Sequence, residues 1–164
     1  MNKHIDKQKL LESLRLPVIG APLFIVSTPK LVIEQCKSGI IGAFPALNAR
    51  KEDELESWLK NISQELEAFK KNNPEKKVAP YAVNQIVHQS NTRLKIDVEM
   101  CVKYKAPIVI TSLRPPAEVV EAVHSYGGLV FHDVINMRHA KKANCQGVDG
   151  NSAVCAGSDG DAGT

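Results

Sequence analysis

The sequence predicts an α/β fold built on a parallel sheet of about six strands and five helices. Three observations predict it. Short apolar runs rich in β-branched residues alternate with amphipathic segments from one end of the chain to the other. Strict alternation of this kind makes parallel strands joined by right-handed crossovers. The 164 residues, 43% hydrophobic and 24% charged, suit one domain, and no linker divides residues 1–164.

The elements follow in order. Residues 17–24 form an apolar run closed by Ser27-Thr28-Pro29 and read as the first strand. Thr28 then caps a helix with Pro29 in its first turn, where the missing N–H costs nothing. That helix covers 30–37 and stops at Ser38-Gly39. A second strand is predicted over 40–44. The next helix, 52–71, places Leu55, Trp58, Leu59, Ile62, Leu66 and Phe69 on one face, and Asn72-Asn73-Pro74 ends it. Residues 78–84 read as a strand and 91–104 as a helix. Residues 107–111 form a strand around Ile108-Val109-Ile110, and 115–125 a helix ended by Gly127-Gly128. A strand over 129–135, a helix over 137–145 ended by Gly147, and a sixth strand over 148–155 complete the pattern.

Composition excludes several classes. The net charge of +3, from 21 basic and 18 acidic residues, is too mild for a nucleic-acid surface. Aromatic residues are 5% of the chain and do not interleave with the basic ones. The longest apolar stretch, 17–26, falls short of the roughly 20 residues a membrane span needs. The first residues carry no apolar signal core, so a cytoplasmic protein is expected. Cys36, Cys101, Cys145 and Cys155 lack the spacing of a zinc or redox motif. Cys36 and Cys101 fall in helical patterns and read as small buried hydrophobes.

Two architectures fit the alternation: an open doubly wound sheet, or an eight-stranded barrel. A barrel takes about 250 residues, so this chain would supply an incomplete one. Either way the working end is the carboxyl ends of the strands. Residues 21–24, Phe44 to Asn48, Asn84-Gln85, Thr111 to Arg114, His132-Asp133 with Asn136, and Cys155 with the Gly-rich stretch 156–164 gather there. The Gly-rich stretch lets a backbone approach a ligand closely, yet it is neither a Walker loop nor a dinucleotide fingerprint. Asp159 and Asp161 lack the other positions of a calcium loop. Asn84 ends an apolar strand with an amide that both donates and accepts. His132 and Asp133 must point to opposite faces of a strand, so His132 reads as structural. His88, His124 and His139 suggest no metal cluster, and no metal is expected.

Four segments carry a resemblance: residues 16–23 (LPVIGAPL), 39–48 (GIIGAFPALN), 81–84 (YAVN) and 147–150 (GVDG). The chain resembles the N-terminal part of the nitronate monooxygenase family, formerly 2-nitropropane dioxygenases. The resemblance implies a (β/α)8 TIM barrel, here incomplete, that binds FMN. It implies conversion of nitronates or nitroalkanes with O2 to carbonyl compounds and nitrite, the flavin carrying the redox chemistry. By the same resemblance Ala21, Pro22 and Leu23 form a floor under the flavin ring, with Leu23 where the family often has Met. Asn84 takes the place of a flavin-contacting Asn, and Gly160 that of a loop glycine beside the cofactor. Asp161 stands where the family has its catalytic His, and Asp159 where it has Gly. An ordinary Asp, with a pKa near 3.9 against about 6.5 for His, is a weaker base at neutral pH. The competing readings are a catalytically impaired fragment or remnant of such an enzyme, and a non-flavin α/β ligand-binding domain. The expected partners are a small nitronate or nitroalkane and O2, with no nucleic acid and no membrane. Self-association through open sheet edges is also expected.

Overall fold

The computed structural model describes residues 5–51, 53–114 and 116–154. Five strands form one parallel sheet: β1 (Gly42–Pro45), β2 (Tyr81–Val87), β3 (Ile108–Leu113), β4 (Leu129–Val134) and β5 (Gly150–Ala153). Their spatial order is β1-β2-β3-β4-β5. Each crossover therefore moves one strand along in the same direction, which keeps the connecting helices on one face. A doubly wound sheet reverses its order at a switch point. No reversal occurs among the described strands, so the sheet is an arc of a barrel.

The helices are α1 (Lys7–Ser13), α2 (Pro29–Lys37), α3 (Glu54–Asn72), α4 (Leu94–Lys103), α5 (Ala117–His124) and α6 (Met137–Asn144). The last five are the predicted ones, with their ends moved by a few residues. Gly39, Gly127 and Gly147 follow the ends of α2, α5 and α6 with φ of 84°, 88° and 82°, left-handed conformations that glycine adopts without strain. Asn136 caps α6 by accepting a hydrogen bond from the His139 amide at 2.9 Å. Helix α1 and a short 3-10 turn at Ala46–Asn48 are not in the sequence expectation.

The first predicted strand is reduced to a single parallel bridge, Ile19 to Ile41. The Gly20 amide donates to the Ile41 carbonyl at 2.8 Å, and the Ile41 amide to the Val18 carbonyl at 3.0 Å. Pro17 and Pro22 bracket this pair and have no N–H to extend a ladder. The segment still lies beside β1, where a further barrel strand belongs.

Alternation along each strand splits the apolar residues between two cores. Phe44, Val83, Val109 and Val130 face the helices and pack with Val32, Leu55, Leu59, Ile62 and Val123. Gly42 lets α2 come this close, because a Cβ there would sit 2.5 Å from the Val32 carbonyl oxygen. The opposite face carries Ala43, Ala82, Ile108, Ile110 and Leu129. Leu10 and Leu14 of the α1 region cover its amino end, and the Ile5 amide donates to the Gly127 carbonyl at 2.9 Å. The carboxyl end of the same inner face is left uncovered by α1.

Cys36 and Cys101 are fully buried, as expected, and burial pushes their thiols up to about 11 and about 12. Cys36, Cys101 and Cys145 are free thiols; Cys155 lies outside the described residues. Among the described residues no helix is long and apolar enough to cross a membrane.

Candidate functional site

The inner face opens at the carboxyl ends of β3, β4 and β5 into a cavity of about 590 Å³. Its walls are Ile19, Ala21 and Pro22 on one side, and Ile110, Phe131, Asp133, Gly150, Asn151 and Ser152 on the other. Strand register explains the selection. Asn84 pairs with Ile110, Ile110 with Phe131, and Phe131 with Gly150, so these four share one inner layer. Asp133 pairs with Ser152 one layer further toward the carboxyl end. Phe131 lies across Gly150: a Cβ there would come within 3.0 Å of its ring. A glycine at this position keeps the aromatic wall in place.

A polar chain crosses this face. Asn84 is buried, and its amide nitrogen donates to the Ile110 carbonyl at 3.3 Å and to Ser112 Oγ at 3.0 Å. Ser112 Oγ donates in turn to Asp133 Oδ2 at 2.6 Å. The direction is fixed by chemistry. An amide NH2 only donates, and a hydroxyl has one hydrogen, so Ser112 accepts from Asn84 and gives its hydrogen to Asp133. Asn84 thus keeps its carbonyl oxygen as the group it can offer to a ligand.

The loop bearing Ala21, Pro22 and Leu23 is held by two side chains. Ser27 Oγ accepts from the Leu23 amide at 2.9 Å and donates to the Ala21 carbonyl at 3.3 Å. Asn48 Nδ2 donates to the carbonyls of Leu23 and Ser27, both at 3.0 Å, while its Oδ1 accepts from the Ile25 amide at 3.0 Å. These bonds hold Ile25 at φ 66°, a left-handed conformation that a β-branched residue adopts only under strain. Leu113, at the end of β3, is held at φ 77°. Both strained residues belong to segments that border the cavity.

The structure therefore brings Ala21 and Pro22 to the cavity wall and Asn84 to the buried layer beside it. Leu23 is not among the lining residues; it is 39% exposed, next to the still more exposed Phe24. Asp161 and Gly160 lie outside the described residues. His132 faces the helices, opposite to Asp133, as strand alternation required. It is 3% exposed, and its Nδ1 lies 2.8 Å from Thr111 Oγ1, which donates to the Phe131 carbonyl at 3.2 Å. Burial pulls the His132 pKa below its ordinary value. His124 pairs with Asp149 at 2.8 Å, and His88 with Ser90 at 2.8 Å, both away from the cavity walls. Among the described residues no group of three acidic, His or Cys side chains is placed to hold a metal.

Sequence reasoning named Ser112, Asp133 and Asn48 as strand-end residues but did not connect them. The signal was partly there, since Ser112 and Asp133 are polar positions that end apolar strands. Cross-strand register, which joins Asn84 to Ser112 and Ser112 to Asp133, is not written in any one segment.

No protein-family model matches the chain, and no curated protein matches its sequence. Solved structures do match in three dimensions. FabK from Thermotoga maritima is similar with a TM-score of 0.72 at 22% identity, over 89% of this chain and 42% of that one. A nitroalkane oxidase from Streptomyces ansochromogenes is similar with a TM-score of 0.62 at 17% identity, over 88% of this chain and 47% of that one. At these identities the likeness establishes the fold, a TIM-barrel type. The chain spans less than half the length of either structure.

Proposed function

We propose that the chain is, or belongs to, an FMN-dependent oxidoreductase of the nitronate monooxygenase type. It would take nitroalkanes or nitronates and O2 to carbonyl compounds and nitrite. The observation that carries this reading is the cavity at the carboxyl ends of the strands, walled by Ala21 and Pro22 with Asn84 in the layer beside it. These are residues that the resemblance assigns to the flavin site. The shared fold with a nitroalkane oxidase points the same way.

The described residues fit the ring portion of a flavin. Pro22, Ile110 and Phe131 give apolar walls for a flat aromatic group, and Ala21 and Gly150 leave room for it. Asn84 Oδ1 offers a polar group to a ring edge. In this reading Ala21 and Pro22 form the floor, and Leu23 enters the site by the resemblance alone. No basic side chain lines the cavity among the described residues. A phosphate would be held elsewhere, as in barrels whose phosphate site follows strands seven and eight. Gly160 and Asp161 enter the site by the resemblance alone.

The chain's own residues bind and orient. Ser27 and Asn48 fix the floor, and the Asn84–Ser112–Asp133 chain fixes the polar wall. When bound, the flavin supplies the electron acceptor that the protein side chains lack. Oxygen consumption by the FMN-incubated chain tests the proposal. Uptake that rises with added nitroethane or its nitronate, with nitrite formed, is the expected result. No uptake with either compound, in protein that has bound FMN, would overturn the substrate assignment.

A further inference from the structure

We infer that Asp133 is the proton acceptor of the cavity, positioned to take the α-hydrogen of a neutral nitroalkane. The inference rests on the nitroalkane reading above and adds a residue that the resemblance does not assign. Asp133 lines the cavity and carries the one charge among the described residues that do. Its Oδ2 is held by the Ser112 hydroxyl at 2.6 Å, and Ser112 is held by the Asn84 amide at 3.0 Å. Oδ1 has no hydrogen bond among the described residues. One oxygen is thus anchored and the other is left as an acceptor, the arrangement a general base needs. Ser112 and Asn84 are positioning residues that orient the carboxylate.

The charge also selects the ligand. With no basic side chain among the described residues that line the cavity, this carboxylate disfavours an anionic nitronate and tolerates a neutral nitroalkane. The apolar walls, Ile19, Ile110 and Phe131, suit an alkyl chain. In the step, the α C–H bond breaks and its electron pair moves into the nitro group, giving the nitronate. The proton forms an O–H bond on Asp133. Charge is conserved, and the step needs no oxidant.

The test follows loss of the α-hydrogen signal of nitroethane in D2O by NMR, without oxygen, using the full chain with and without FMN. The wild type is expected to speed exchange above the buffer rate. Asp133→Asn, which keeps the side-chain shape, is expected to slow the protein-dependent rate by about 100-fold or more. Ser112→Ala keeps the carboxylate and should slow exchange about tenfold while leaving half-saturation by nitroethane unchanged, which a general loss of structure would not do. In the wild type, the ethyl nitronate anion should compete more weakly than a neutral nitroalkane does. Exchange at the buffer rate in FMN-bound wild type would overturn the inference and leave the flavin reading standing. So would an unaltered rate in Asp133→Asn, or a nitronate that competes better than neutral nitroalkanes. Exchange that depends on Asp133 in a chain that binds no FMN would keep the base and overturn the flavin reading.

Discussion

Asn48 shows how much one side chain can hold. Its amide makes three hydrogen bonds to the loop that carries Ala21 to Ile25. Asn48→Ala leaves two carbonyls and one amide to find water, at about 1–3 kcal/mol for each group that stays buried. The expected outcome is a Tm several degrees lower, with loss of any ligand that binds against Ala21 and Pro22. An unchanged melt would show the loop to be held by other contacts. His132 gives a pH dependence. Its folded pKa lies below its unfolded value of about 6.5, so the unfolded chain binds the extra proton as pH falls. Stability should therefore decline below about pH 6.5, and His132→Gln should flatten that decline in urea titrations at several pH values. Asp97 works in the opposite sense. Burial raises its pKa, although Arg93 sits at 2.9 Å and offsets part of the shift. The folded state then holds a proton that the unfolded chain releases, so this group favours folding more strongly below the ordinary carboxylate range than above it.

At the scale of elements, the sheet shows what patterning conveys. Strands β2, β3 and β4 and helices α2 to α6 are legible because each carries a full period of apolar residues between turn signals. The 17–24 run is equally apolar, yet it makes one bridge. Pro17 and Pro22 remove donors, and a ladder needs donors as well as apolar side chains. Helix α1 was missed for the converse reason. It is seven residues long and buries only Leu10, so its periodicity is too short to register. Of the residues that the resemblance points to, Ala21 and Pro22 lie at the cavity wall and Asn84 in the layer beside it. The Ser112–Asp133 contact was not legible in the sequence, because it depends on how β3 and β4 align. Leu59→Ala tests the helix-facing core. Leu59 is fully buried, and its truncation should cost about 2–5 kcal/mol in unfolding free energy. A cost below about 1 kcal/mol would mean that α3 is not docked as described.

At the scale of the molecule, the sheet is an arc with two margins. Among the described residues no strand pairs with the far side of β5, and the bridge at Ile19 marks the other margin. Beside it Leu16, Val18, Leu23, Phe24, Ile25 and Val26 expose large apolar side chains. A contiguous apolar strip of this size favours pairing with another chain. The full chain alone should therefore elute as a dimer or larger species in light-scattering chromatography. Charged substitutions at Phe24 and Val26 should shift it toward monomer. A monomer at all concentrations, with a sharp melt, would contradict this. The proposed function stands or falls on whether the inner face at the carboxyl ends of the strands binds a flavin. The most direct measurement is the visible absorption spectrum of the purified chain titrated with FMN, with flavin released by heat and quantified. Saturable binding with a shifted flavin spectrum, weakened by Asn84→Ala, is the expected result. A spectrum identical to free FMN, with no flavin retained at any excess, would contradict it.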